Sequence, residues 1–186
     1  MSWSVVNLPN MLSWARLGAT PVSVSYILNG QLQIAFYIFV AAGITDALDG
    51  FLARRFNLVS DFGRIIDPVA DKALLTATYL ALAYSGYLPW WLTGLVVGRD
   101  ILIVSAYGVS GLFGVKIRPA PVAMSKFNTA SQIALAAGVL FRDGFGIEMW
   151  GFIDLLIWLT AATTVLSWLQ YLVLWITTRG TMQRQP

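Results

Sequence analysis

Asp46 to Asp71 reads DALDGFLARRFNLVSDFGRIIDPVAD. Of the five aspartates in this stretch, four stand at regular spacing: Asp46 and Asp49, then Asp67 and Asp71. Long apolar runs flank it on both sides. A carboxylate is costly in or beside such a run, so this density calls for a reason. The reason that chemistry offers is a metal site at a membrane surface.

Composition bounds the setting. Of 186 residues, 58% are hydrophobic and 11% charged, where a soluble domain carries about 25% charged residues. The expectation is an all-α integral membrane protein, one domain over residues 1–186, with apolar runs near the roughly 20 residues that cross a bilayer. The net charge of +3 sits on loops. It reads as a topology signal, with no nucleic acid as partner. The chain has no cysteine and no histidine. Disulfides, thiol nucleophiles, Ser-His-Asp catalysis and histidine-bound zinc are therefore excluded. The N-terminus lacks the charged start and the small-residue cleavage site of a secretory signal peptide.

Six transmembrane helices are expected, preceded by a short interfacial segment over residues 1–10 that Pro9-Asn10 punctuates. The spans run from about 11 to 28, 32 to 54, 67 to 85, 90 to 113, 122 to 141 and 149 to 177. Arg142-Asp143 would lie in the loop after the fifth. Lys and Arg concentrate in the second–third and fourth–fifth connections and at the C-terminus (Arg54, Arg55, Arg64, Lys116, Arg118, Lys126, Arg179, Arg184). The positive-inside rule then puts both termini and the aspartate stretch on the cytoplasmic side. A bacterial inner membrane is the expected location.

Asp46, Asp49, Gly50 and Ala53 share one helix face, at i, i+3, i+4 and i+7. Asp67 and Asp71 are i and i+4 on the next helix, with Asp67 expected as its cap and Pro68 in its first turn. If the two helices are antiparallel neighbours, four carboxylates converge at one end. Arg54 and Lys72 could offset part of their repulsion. A divalent cation, or a pair, would do so better. An all-oxygen donor set points to Mg2+ or Mn2+. Two such ions about 4 Å apart can clamp a phosphoryl group during displacement. Gly50, Ala53 and Gly63 leave room for a bulky polar ligand, and Arg54 suits a phosphate. An ion pathway would instead spread acids through the depth of several helices.

The stretch matches D-x2-D-G-x2-A-R-x8-G-x3-D-x3-D at every fixed position, and so resembles the signature of the CDP-alcohol phosphotransferase family. That resemblance implies transfer of a phosphatidyl or similar group from a CDP-linked donor to an alcohol, with release of CMP and a requirement for divalent metal. Asp46, Asp49 and Asp67 would bind metal, with Asp71 as a further ligand and general base. Asp49, Gly50, Ala53, Arg54 and Gly63 would meet the donor, CDP-diacylglycerol, as would Pro9, Asn10 and Ser60. A homodimer embedded among membrane lipids is also implied. The absence of histidine agrees, because it leaves a carboxylate as the natural base.

The acceptor alcohol is read elsewhere. The opening N-L-P-N-x2-S-x2-R, from Asn7 to Arg16, is similar to the branch of the family that makes phosphatidylglycerophosphate and cardiolipin. Members that use glycerol 3-phosphate tend to carry an Arg where this chain has Tyr107 and a second Lys where it has Asn128. Each missing cation would forgo charge-assisted bonds worth about 1.5–3 kcal/mol. The expected acceptor is therefore phosphatidylglycerol, giving cardiolipin and CMP, with glycerol 3-phosphate as the alternative. Arg16, Arg99 and Lys126 are candidate contacts for acceptor or lipid phosphate. Arg99-Asp100 could instead be an internal salt bridge, and Arg16 could snorkel to the headgroups. A metal-ion transporter and an inactive scaffold are the remaining alternatives.

Overall fold

The computed structural model describes the backbone of residues 3–56, 63–112, 123–149 and 151–182, and the side chains of 14–48, 72–102, 105, 124–149 and 151–170. Within those residues every regular element is an α-helix. It forms α1 (Trp3–Leu28), α2 (Leu32–Phe56), α3 (Gly63–Tyr84), α4 (Trp90–Leu112), α5 (Ala123–Phe145) and α6 (Phe152–Met182). The shortest has 22 residues, or about 33 Å at 1.5 Å per residue. Among the described residues, one segment, Phe152–Gln170, is long and apolar enough by composition to cross a membrane.

Three expectations are corrected. The N-terminal segment is not a separate element, because α1 runs unbroken through Pro9 and Pro21. Each proline removes only one backbone bond, and the flanking turns carry the helix across the gap. Asp67 is not a cap: α3 starts four residues earlier, at Gly63. Arg142 and Asp143 are not in a loop, since they form part of the last turns of α5. There they pair with each other, Nη2 to Oδ2 at 2.7 Å.

The helices divide between two compact units. The first comprises Met1–Trp90 and Ala136–Met149. In it α1 packs against both α2 and α3. Residues 29–31 make the turn between α1 and α2. Gly30 takes φ +72°, a conformation that favours glycine. The Gln31 N–H reaches back to the Tyr26 carbonyl at 2.9 Å, and the Asn29 amide donates to the Ser25 carbonyl at 2.9 Å. Together these bonds satisfy carbonyls that the end of α1 leaves open. So tight a turn makes α1 and α2 antiparallel neighbours.

The core of this unit includes Ile27, Ala35, Phe39, Tyr79, Leu82 and Leu140. At its far end Phe36, Tyr37, Phe141 and Phe145 form a ring cluster, with centroids 5.0–5.9 Å apart. Gly144 lets the last turn of α5 approach α2. A Cβ there would lie 2.7 Å from the backbone nitrogen of Gln33.

The second unit comprises Trp91–Leu135 and Trp150–Pro186. Leu92, Val96, Leu135, Ile153 and Leu156 are buried in it. So is a run of polar side chains on α4, α5 and α6.

Candidate functional site

Among the described residues of α1, the buried side chains are Arg16, Thr20, Ser23 and Ile27, spaced i, i+4, i+7 and i+11. One face of the helix therefore points inward, and it is mostly polar. Arg16 stands on that face with 3% of its surface exposed. Its Nη1 donates to Asp46 Oδ1 at 2.8 Å, while the Asp46 side chain is 43% exposed. Snorkelling toward headgroups does not describe Arg16. Its head is turned inward and is ion-paired with the first aspartate of the motif.

This pair fixes the register of the α1–α2 hairpin. Moving seven residues outward from it along each helix, the backbone of Pro9 stands level with that of Ala53. The N-terminal half of α1 thus runs beside the C-terminal half of α2, which bears Asp46, Asp49, Gly50, Ala53 and Arg54. α1 also packs on α3, which bears Gly63, Asp67 and Asp71. The side chains of Pro9, Asn10, Asp49, Ala53, Arg54, Asp67 and Asp71 lie outside the described residues, as does the whole of Ser60. Among the described residues, no group of three metal-ligating side chains stands together. Lys72, next to Asp71, is half-buried.

A second polar site lies within the other unit. Arg99 is buried, with 2% exposed. Its Nη1 donates to Asp100 Oδ1 at 2.8 Å, its Nη2 to Ser125 Oγ at 2.6 Å, and its Nε and Nη2 to Ser167 Oγ at 3.3 and 3.0 Å. The guanidinium ties α4 to α5 and α6. The internal salt bridge weighed from the sequence is present, with two hydroxyls added to it.

One turn along α5, Asn128 is fully buried, and its Oδ1 lies 3.0 and 2.8 Å from the hydroxyls of Thr163 and Thr164. Those threonines also donate to carbonyls of their own helix, at Leu159 and Thr160. Ser131 and Thr163 are 3.0 Å apart, and Thr160 donates to the Ser131 carbonyl at 3.3 Å. Ser125, Asn128 and Ser131 of α5 therefore face Thr160, Thr163, Thr164 and Ser167 of α6 along one seam. Lys126, on the same turn as Ser125, is exposed. Tyr107 lies outside the described side chains.

The hydroxyls of α6 are what the sequence reading passed over. Their spacing, i, i+3, i+4 and i+7 in an otherwise apolar helix, was the available signal.

The sequence matches the CDP-alcohol phosphatidyltransferase family model over residues 6–181. The chain belongs to this family. Relatives at similar distance within the CDP-alcohol phosphatidyltransferases carry different names. The human cardiolipin synthase (CMP-forming) is 34% identical over 185 residues, covering 88% of this chain and 60% of the relative. A chloroplastic CDP-diacylglycerol–glycerol-3-phosphate 3-phosphatidyltransferase of Oryza sativa subsp. japonica is 35% identical, covering 89% of this chain and 56% of the relative. The CDP-diacylglycerol–glycerol-3-phosphate 3-phosphatidyltransferase of Bacillus subtilis is 30% identical, covering 89% of this chain and 93% of the relative. The chain thus spans little more than half the length of the human and rice relatives. The family match takes in the Asp46–Asp71 stretch and four of the six helices whole, with most of α1 and all but the last residue of α6.

Proposed function

We propose that this chain transfers a phosphatidyl group from CDP-diacylglycerol to a hydroxyl of phosphatidylglycerol, forming cardiolipin and releasing CMP. The Arg99–Asn128 site carries the choice of acceptor. A glycerol 3-phosphate dianion needs cations held ready for it. The Arg99 guanidinium is committed to Asp100, Ser125 and Ser167, and the neutral Asn128 is packed among threonine hydroxyls. Both suit an acceptor whose reacting end is an uncharged glycerol.

In the reaction, the acceptor oxygen attacks the phosphorus bound to diacylglycerol, and the bond from that phosphorus to the CMP oxygen breaks. Asp71 takes the acceptor's proton. Asp46, Asp49, Asp67 and Asp71 would hold Mg2+ or Mn2+. The fit rests on an all-oxygen donor set on two helices that both touch α1, and on Asp46, whose side chain stays 43% exposed while its Oδ1 accepts from Arg16. The metal would supply charge stabilisation at the pyrophosphate. Arg54 would meet donor phosphate, beside Gly50, Ala53 and Gly63, with Pro9, Asn10 and Ser60 as further donor contacts. Lys126, exposed at the start of α5, remains a contact for lipid phosphate.

The setting we infer is six membrane spans with the aspartates on the cytoplasmic side, in a homodimer. The distribution of side chains supports the membrane. Polar groups such as Arg16, Arg99, Asn128 and Thr164 are buried, while Trp14, Tyr37, Ile101, Trp158 and Leu169 face outward.

The second reading is phosphatidylglycerophosphate synthesis from glycerol 3-phosphate. The rice and Bacillus relatives favour it by name. One assay separates the two. Purified protein receives Mg2+ or Mn2+, CDP-diacylglycerol and either alcohol, and CMP is measured. Release with phosphatidylglycerol is the expected result. Release with glycerol 3-phosphate alone would transfer the assignment to the second reading. No release with either would remove both, and would reopen metal transport or an inactive scaffold.

A further inference from the structure

We propose that Arg16 is the built-in counter-cation of the aspartate motif. It neutralises Asp46 when no divalent ion is bound, and it opposes the ion electrostatically when one is. This role presupposes a divalent ion at the aspartates, the reading given above.

The placement is unusual for a surface cation. Arg16 is 3% exposed, on a helix face that otherwise turns Thr20, Ser23 and Ile27 inward. Burying a guanidinium is costly unless a carboxylate meets it. Here the partner is the more exposed member of the pair. The buried arginine therefore meets Asp46 while 43% of that carboxylate side chain stays exposed. α1 packs on both carriers of the aspartates, α2 and α3. The positive charge on its inner face therefore belongs to the helix that both of them share as a neighbour. The Thr20 hydroxyl donates to the Arg16 carbonyl at 3.1 Å, which satisfies that buried polar group within its own helix.

Four carboxylates brought together repel one another, and the metal-free protein must fold with that repulsion in place. One fixed cation lowers the cost before any ion arrives. The same charge weakens the hold on a dication, as Coulomb's law requires of like charges a few ångströms apart. Removing it should therefore harm the metal-free fold and help metal binding. A residue that merely oriented Asp46 as a ligand would do the opposite to the metal, since losing such support commonly lowers affinity 10–100-fold, as an order of magnitude.

The test uses the full chain in detergent, with unfolding followed by intrinsic tryptophan fluorescence in EDTA and in excess Mn2+. Wild type, Arg16→Gln, Arg16→Lys and Arg142→Gln are compared, and Mn2+ affinity is titrated by electron paramagnetic resonance of the free ion. In EDTA, Arg16→Gln should unfold at a clearly lower temperature than wild type. Excess Mn2+ should raise it further than it raises wild type, and its Kd for Mn2+ should fall about tenfold. Arg142→Gln, which breaks the Arg142–Asp143 pair near the end of α5, should show the wild-type Mn2+ shift. Should Arg16→Gln not fold without metal, Arg16→Lys serves, and its Kd should stay near that of wild type. An equal or smaller Mn2+ shift in Arg16→Gln, a weaker Kd, or a Kd for Arg16→Lys far from wild type would overturn the proposal. A wild type that Mn2+ does not stabilise at all would instead overturn the metal reading, and this role with it.

Discussion

In the proposed reaction Asp71 carries the heaviest chemical demand of any single residue. With no histidine in the chain, a carboxylate is the natural acceptor for the proton of the attacking alcohol. Asp71 lies one helical turn beyond Asp67 on α3. Asp71→Asn keeps the shape and removes the basicity, so turnover should fall by about 10²–10⁴-fold, the usual worth of a general base. Unfolding temperature in detergent should stay close to wild type. Activity near the wild-type level would remove Asp71 as the base. The two buried arginines differ from it in kind. Arg16 answers a motif aspartate, whereas Arg99 answers its own neighbour Asp100 and two serines. Both were read from the sequence as candidates for lipid or acceptor phosphate. Burial and pairing separate them from Lys126, which stays exposed.

At the scale of helices, close approach is decided by glycine. Gly144 meets the Leu32–Gln33 backbone, where a Cβ would come within 2.7–2.9 Å of three main-chain atoms. Main chain cannot step aside, so Gly144→Ala should destabilise by about 1–3 kcal/mol. Gly94, inside α4, has nothing within 4 Å of its Cβ position, and Gly94→Ala should be neutral or stabilising by up to about 1 kcal/mol. Thermal unfolding of the two variants in one detergent checks the contrast, and equal effects would refute the packing assigned to Gly144. Neither effect is visible in a linear sequence, since Gly144 and Gln33 meet only through the fold. The ends of α2 and α4 were legible to within two residues, because charge and turn residues mark them. The start of α3 was not, because Pro68 looked like a first-turn proline and Gly63 gives no helix-start signal. Of the candidate site, the register of the aspartates along α2 and α3 was legible, but Arg16 as partner of Asp46 was not. That pairing follows from the antiparallel hairpin, and the seam from Asn128 to Thr163 and Thr164 likewise joins residues more than thirty positions apart.

At the scale of the molecule, many polar side chains are buried while many large apolar ones are exposed. On α6, Thr160, Thr163, Thr164 and Ser167 are buried, while Leu155, Trp158, Leu166 and Leu169 are exposed. On α5, Asn128, Ser131 and Gln132 are buried, while Phe127 and Ile133 are exposed. Water would drive the reverse arrangement, and hydrocarbon tolerates this one. Six spans then require that the short turns and the basic loops alternate between the two sides of the bilayer. The absence of cysteine makes this directly testable. Single cysteines would be introduced as Gln31→Cys, Asn57→Cys, Lys116→Cys and Glu148→Cys, and a membrane-impermeant maleimide applied to intact spheroplasts. Gln31→Cys and Glu148→Cys should label at once, since residues 31 and 148 lie in turns on the side opposite the aspartates. Asn57→Cys and Lys116→Cys should label only after permeabilisation, because positive loops are retained on the cytoplasmic side. The reverse pattern would invert the topology and put the CDP-linked donor on the outer face. Labelling of Gln31→Cys and Glu148→Cys from opposite sides would mean an odd number of crossings between them, and the six-span arrangement would fall.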